Sequence, residues 1–392
     1  MPTERRVAVA LNIDEPYPHH QQVLTGVRRY AREHPGWNCI IDEHPGHGRS
    51  ERNRGLPAYD GVLARASPAL QRRLEQLKIP MVNVWYQHAR PGVAGVYPEP
   101  HEIGRLAAEH LLERGFKKLG FIGDRGSRQS KLIGQAFSKL ATERGGTCWI
   151  DSCQNGFFKD RGYWLALAKH LGKLLDQLEP PMGIFVIESG VARFLTTICD
   201  ERGWRVAQEM ALVCWDNVHA IVELPPQITC IDSNYERVGY EAAKLLDRLM
   251  AAEPVPQQPL LLPPKGVIPR DSTDYFAVED ELVAAALRYI SSHLRQKLSV
   301  EDIANAIAAA PRTLQRQFQA ALGRPVGDEV RRLRLELAKR LLGDQSLQVS
   351  QVARMSGFNS AANLSHVFQR ELGVAPNTYR KQVIGERAEG KM

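Results

Sequence analysis

Arg312, Gln315, Arg316 and Gln319 recur at helical spacing. Long side chains with planar donors and acceptors are the ones that pair bidentately with guanine and adenine edges. On the other side of the same stretch Leu314, Phe318 and Leu322 repeat, so burying the apolar stripe turns the polar set outward. One such helix would also fit an ordinary solvated face. The pattern returns, however, in a helix from about Ser360, which carries Leu364, Val367, Phe368 and Leu372 inward. Ser360, Asn363, His366 and Arg370 are left on or near its outside. A duplicated polar face on short helices is what paired major-groove readers need.

Each polar helix needs a partner helix and a turn to present it. Ser299 with Asp302 three positions on marks a helix start. Ile303, Ala304 and Ile307 then share a face, Ala308 to Ala310 form a break, and Pro311 opens the polar helix. In the second unit Val349, Val352 and Ala353 form the short apolar face, and Gly357-Phe358 makes the turn. Between the units, Asp328 to Leu342 reads as one amphipathic helix with Val330, Leu333, Leu337 and Leu341 as its buried stripe. Such a spacer would set the two readers about one DNA turn apart.

Residues 283 to 385 resemble the AraC/XylS-type DNA-binding domain. The resemblance runs through Arg334-Leu335-Glu336-Leu337-Ala338-Lys339-Arg340-Leu341-Leu342, Val352-Ala353, Gly357-Phe358, Phe368, Gly373-Val374-Ala375-Pro376 and Tyr379-Arg380. It implies a double-stranded DNA operator, with base contacts from Arg312, Gln315 and Arg316. Where that family often has an Arg stands His366, and Ala361 and Ala362 replace long polar residues. The second unit is therefore expected to contribute phosphate contact more than base discrimination.

Charge agrees with this division. Residues 283 to 392 carry 17 Lys and Arg against 9 Asp and Glu, while the whole chain has a net charge of +7. Residues 1 to 282 are therefore nearly neutral, at about −1. A basic excess confined to one segment favours counterion-releasing contact with phosphates. At 392 residues and 43% hydrophobic content the chain has room for two or three ordinary cores. It has no apolar run of the roughly 18 residues needed to span a bilayer, and its start lacks a signal-peptide core, so a cytoplasmic protein is expected. The six Cys lack metal-ligand spacing and read as free thiols.

Residues 1 to 275 alternate strand and helix. Apolar runs at Val7–Asn12, Cys39–Ile41, Asp60–Ala64, Ile79–Trp85, Lys118–Gly123, Cys148–Ile150, Gly183–Ile187 and Ala211–Trp215 are interleaved with amphipathic stretches. That order specifies parallel sheets covered on both faces, and its length calls for two lobes with a cleft between them. Leu260-Leu261-Leu262, inside the proline-rich stretch 254–269, reads as a further strand of the same part.

This segment resembles the periplasmic-binding-protein-like sensor core of LacI/GalR regulators. The resemblance runs through Gly104, Ala107-Ala108, His110-Leu111 and Gly115, then Phe121-Ile122-Gly123. Ala211 to Asn217, Pro225-Pro226, Ile228-Thr229, Gly239, Ala242-Ala243 and Arg270 to Thr273 continue it. The fold class implied is α/β: a two-lobed sensor of doubly wound parallel sheets, followed by an all-α domain with two helix-turn-helix motifs. The expected domains are 1–275 sensor, 276–282 linker, 283–385 reader and 386–392 tail.

A sensor core joined to such a reader is similar to the arrangement of xylose-type operon regulators. The resemblance implies a monosaccharide effector, D-xylose favoured, with a homodimer and RNA polymerase as partners and activation as the outcome. Sugar sites pair hydroxyls with carboxylates and amides and cover C–H surfaces with aromatic rings. Asp216, just after the strand 211–215, is the leading contact, with Asn217 beside it. Glu188 follows the strand ending at Ile187, and Asp14 and Tyr17 lie after the first strand. The family's Arg contact falls near Ile133, so Arg128 or Lys131 would have to substitute, and Pro98 stands where an Asp is common. The chain has no Gly-rich phosphate loop, no Gly-x-Ser-x-Gly elbow and no metal-spaced cluster among its 12 His. Catalytic residues, metal and cofactor are therefore expected to be none.

Overall fold

A computed structural model describes residues 5–12, 18–45, 59–90, 92–153, 161–254, 256, 258–275, 278, 280–342 and 347–380. The first lobe is built from β1 (Arg5–Ala10), α1 (Pro18–Glu33), β2 (Trp37–Ile41), β3 (Gly61–Ala64), α2 (Pro68–Leu77) and β4 (Met81–Asn83). Its strands form one parallel sheet in the order β2-β1-β3-β4. The central strands are continuous apolar runs because helices cover both faces; Val7, Val9, Val62 and Leu63 are wholly buried.

After β5 (Val96–Pro98) the chain crosses to the second lobe. There α3 (Pro100–Glu113), β6 (Lys118–Asp124), α4 (Arg128–Glu143), β7 (Thr147–Cys153), α5 (Arg161–Leu175), β8 (Met182–Val186), α6 (Ser189–Glu201), β9 (Met210–Cys214), α7 (His219–Val222) and β10 (Thr229–Asp232) follow in turn. The chain then returns through α8 (Tyr235–Met250), which packs on α1. The next strand, β11 (Leu260–Leu262), pairs in parallel with β5, and β12 (Gly266–Ile268) pairs antiparallel with β10. The second sheet reads β12-β10-β9-β8-β6-β7. The strand read at 260–262 is thus present, whereas β5, β10, β12 and α8 were not legible as elements.

The α1–α8 crossing depends on two glycines. A Cβ on Gly26 would lie 1.9 Å from Glu236 O, and one on Gly239 would lie 1.9 Å from Val23 O. Backbone-to-backbone approach of that kind requires the missing side chains.

The C-terminal part is all helical: α9 (Glu281–His293), α10 (Val300–Ala306), α11 (Pro311–Leu322), α12 (Val326–Leu342), α13 (Val349–Met355) and α14 (Ala361–Leu372). The α10 start is the expected capping box, with Ser299 and Asp302 bonded reciprocally. Gly357 makes the α13–α14 turn at φ +81°, and a Cβ there would meet Leu294 O at 1.9 Å. Arg334 Nε donates to the same carbonyl at 3.0 Å, joining α12 to the end of α9.

The spacer helix corrects one expectation. Val330 and Leu333 enter the core of the first unit, but Leu335, Ala338 and Leu342 enter that of the second. Leu337 is only half-buried and Leu341 packs at the margin of the second core; both line a gap between reader and sensor. A single helix serving two cores on different sides cannot keep one straight stripe. The linker positions 276, 277 and 279 and the tail 386–392 lie outside the described residues.

Candidate functional site

Ligands of parallel α/β sheets bind beyond the carboxyl ends of the strands. Here those ends converge from both lobes on a cavity of about 490 Å³. Arg65 follows β3, Trp85 follows β4 closely, Asp124 ends β6, Glu188 follows β8, and Trp215, Asp216 and Asn217 follow β9. Asp232 ends β10, while His19 and His20 come from the first turn of α1. Tyr235, at the start of α8, and Pro98, at the end of β5, line it where the chain passes between lobes.

The walls differ in charge. Among the described lining residues the first lobe supplies Arg65, His19, His20 and His88 and no carboxylate; the second supplies Asp124, Glu188, Asp216 and Asp232 with Arg125. Asp216 is half-buried in the cavity wall, and its carboxyl is pushed up to about 6 by loss of water. Hydrogen bonds oppose that shift: the Cys214 thiol donates to Oδ1 at 2.8 Å and Ser189 Oγ to Oδ2 at 3.2 Å, and the backbone N–H groups of Ser189 and Asp216 add to them. His19 is held well below its ordinary value, first by burial and then by His20 and Arg65, so it is neutral at physiological pH. Its ring stacks on Tyr235 with centroids 5.0 Å apart. The Arg65 guanidinium lies 4.0 Å above the Trp85 ring.

This geometry offers carboxylate acceptors, amide and guanidinium donors and flat rings. It suits a polyhydroxylated ligand.

Of the residues expected from sequence, Glu188, Asp216 and Asn217 line the cleft together. Arg128 and Lys131 do not. Lys131 is exposed on α4, and Arg128 is engaged at the rim, where its Nη1 donates to Ala89 O at 2.9 Å. Ile133 is fully buried in the core shared by α3 and α4, which is why no polar contact stands there. Asp14 and Tyr17 lie outside the described residues. Sequence reading passed over Arg65, Trp85, Asp124, Gln129 and Asp232, all of which lie at or just after strand ends or, for Gln129, in the first turn of the helix after β6.

In the reader, Arg312, Gln315, Arg316 and Gln319 are all exposed on α11, while Leu314 and Phe318 are wholly buried. In α14, Ser360 is the N-cap and accepts from Asn363 N at 3.1 Å. Asn363, His366 and Arg370 are exposed, and Arg370 is ion-paired with Glu371.

A periplasmic binding protein-like domain is recognised at residues 108–273 and a helix-turn-helix domain at residues 303–382. The chain is 26% identical over 388 residues to the xylose operon regulatory protein of Escherichia coli (strain K12), covering 96% of both chains. It is 23% identical over 388 residues to the protein of that name from Haemophilus influenzae, covering 96% of this chain and 99% of the relative. A solved structure described as the xylose-binding transcription activator XylR matches with a TM-score of 0.60 at 25% identity, covering 97% of this chain and 99% of that one.

Proposed function

From homology to the xylose operon regulatory proteins along nearly the whole chain, we propose that this protein is a sugar-responsive, sequence-specific DNA-binding transcriptional regulator. One observation carries the reading. A cleft furnished with Asp216, Asn217, Glu188 and aromatic rings precedes, in one chain, two helix-turn-helix units with outward Arg and Gln. The cleft binds and the helices read, so it is a regulator and not an enzyme.

D-xylose is the effector to test first, because the relatives' names attach xylose to this domain order. In the cleft Asp216 accepts sugar hydroxyls, and its partial protonation near pH 6 makes affinity fall in mild acid. Asn217 contributes an amide, and Trp215 and Tyr235 offer ring faces. Arg312, Gln315, Arg316 and Gln319 address base edges, while the second unit, with Ser360, Asn363, His366 and Arg370, holds phosphates.

Control is by population shift. Sugar prefers one arrangement of the lobes, and a ligand moves an equilibrium only by the difference of its affinities for the two states. A homodimer places two readers on adjacent half-sites and raises their effective concentration. Activation through RNA polymerase and a cytoplasmic location complete the proposal; no described helix is long and apolar enough to cross a membrane.

The test is titration calorimetry with a panel of monosaccharides, paired with operator gel shifts with and without the bound sugar. Sugar binding that changes operator affinity supports the reading. Binding of a nitrogenous or phosphorylated metabolite with no response to sugars refutes it.

A further inference from the structure

The reader contains one frame twice. Helices α10 and α13 are each 7 residues long, and α11 and α14 each 12. Both units start with a side chain reaching back to the N-cap: Asp302 accepts from Ser299 N at 2.9 Å and Gln351 from Gln348 N at 2.8 Å. Both turn through a left-handed residue, Ala308 at φ +53° and Gly357 at φ +81°. The turns close alike, with Ala309 N donating to Ala304 O at 2.8 Å and Phe358 N to Ala353 O at 2.9 Å. Leu314 and Phe318 on α11 then match Leu364 and Phe368 on α14, all wholly buried, and left-handed Gly323 and Gly373 end the two helices.

Equal helix lengths and matched cores fix which positions correspond. Arg312, Arg316 and Gln319 fall on Ala362, His366 and Gln369, all exposed, and Gln315 falls on half-buried Ser365. Asn363 falls on half-buried Thr313 and lines a recess between the units with Ser299 and Arg331, off the reading face. The two outward faces therefore differ in chemistry. The first carries Arg and Gln, whose planar groups make paired bonds to guanine and adenine. In the second, Gln369 donates to Gly373 O at 3.0 Å at the end of its own helix, and the His366 ring lacks the parallel donors of Arg316. In a helix-turn-helix the N-terminal residues of the second helix meet the base edges. There α14 presents the methyl of Ala362 where α11 presents the Arg312 fork, and the short side chain lets the helix sit closer to the bases. A methyl group has one partner of its own kind on a major-groove edge, the thymine methyl.

We propose that the two units read unlike base pairs at equivalent positions, Arg312 a guanine in one groove segment and Ala362 the methyl group of a thymine in the other, which makes Ala362 a specificity-determining residue. This rests on the DNA-regulator reading above and adds the composition of the operator to it. The operator is then two unequal segments for each protomer, and the second unit adds a base preference to its phosphate contacts.

Selection by the full-length protein, with D-xylose and without it, from a duplex library randomised over about 20 base pairs decides it. Wild type is expected to select two unlike segments about one turn apart, with a guanine in one and a thymine in the other. Arg312→Ala is expected to lower the preference for that guanine about tenfold and to leave the thymine segment as it was. Ala362→Arg is expected to exchange the thymine for guanine, with about a tenfold reversal of preference. Replacing the thymine by uracil removes only the methyl. It is expected to weaken wild-type binding about fourfold and binding by Ala362→Gly by less than about twofold. A second segment without base preference, a guanine already selected there by wild type, uracil bound as tightly as thymine, or unchanged selection by Ala362→Arg overturns the role of Ala362 and leaves the regulator standing. Failure to select any duplex at low salt, with sugar or without, overturns both.

Discussion

Replacing Asp216 with Asn should make the unliganded protein more stable and a poorer sugar binder, and the two effects can be separated by pH. In the fold the Asp216 carboxyl is pushed up to about 6 from an ordinary 3.8. At about 1.4 kcal/mol per tenfold change in proton affinity, the ionised form costs up to about 3 kcal/mol at pH 7.5. An acid raised in this way binds more protons folded than unfolded between pH 3.8 and 6, so stability falls as pH rises through that window. The Asn variant escapes the cost but gives up one acceptor, because the carboxylate takes bonds from both Ser189 and Cys214. Subtracting about 1 kcal/mol for that loss leaves a net gain of about 1–2 kcal/mol at pH 7.5. Thermal unfolding should show it as a rise of about 2–8 °C for a sensor of this size. At pH 5 the electrostatic part shrinks to about half, and by pH 4 most of it is gone. Sugar affinity should drop by about 10–100-fold, since hydrogen bonds to a charged acceptor are worth about 1.5–3 kcal/mol. A variant that is less stable than the parent at pH 7.5, or a stability difference that does not change with pH, would refute the assignment of Asp216 as a desolvated acceptor facing the cleft.

Other perturbations address the remaining joints. Arg316→Ala should weaken specific operator binding by about 1–3 kcal/mol in gel shifts and leave sugar affinity unchanged; a matching loss of sugar binding would contradict the division of labour. Gly239→Ala should destabilise the sensor by about 1–3 kcal/mol or more in chemical denaturation, because the new methyl meets Val23 O at 1.9 Å; an unchanged midpoint would rule out the close helix crossing. Glu113 of the sensor lies 4.0 Å from Arg332 of the reader, whose main partner is Glu329 at 2.8 Å. Glu113→Arg should therefore shift the operator affinity of the unliganded protein by about 0.5–1 kcal/mol, with Arg332→Glu reversing it in the same chain. Additive effects of the two changes would exclude that contact.

Periodicity made most of the fold legible. Long apolar strands and amphipathic helices, such as the run ending at Trp215 and the helix carrying Leu314 and Phe318, are short-range patterns. Three-residue strands such as β5 and β12 contain too few residues to show a period, and they exist because distant segments pair with them. The reader's outward face was legible for the same reason: Phe318 cannot be buried without turning Arg316 out. The cleft was only partly legible. Looking after the eighth and ninth strands reached the cleft-lining Glu188, Asp216 and Asn217; applied to every strand end, the same rule reaches Arg65, Trp85, Asp124 and Asp232 as well. Arg128 misled because its residue type and its helix fit a sugar contact, while its engagement with Ala89 and Gln87 depends on a turn from the other lobe.

Communication from cleft to reader needs no long relay through the core, because the ligand-facing loop and the chain leaving the sensor share hydrogen bonds. Asn217 Oδ1, in the cleft wall, accepts from Arg270 Nη2 at 2.9 Å, and Arg270 Nη1 donates to Ile228 O at 2.7 Å. Three residues on, Thr273 shares a bond with Thr229 at 2.7 Å and another with His110 of α3 at 2.9 Å, and its carbonyl accepts from Arg114 Nε at 2.7 Å. All four of these side chains are buried, so the exit segment is fixed to β10 and α3 at once. The same α3 begins beside cleft-lining Pro98 and ends at Glu113, against Arg332 of the reader. On the proposed reading, a ligand hydroxyl bonded to Asn217 would compete with Arg270 for the same oxygen, and a rotation of the lobes about the crossovers would carry α3 with it. Both actions would bear on Asp271 to Thr273, the part of the exit segment held by these bonds. This is the physical requirement for control: two arrangements of one packed joint, biased from the cleft on one side and from DNA on the other.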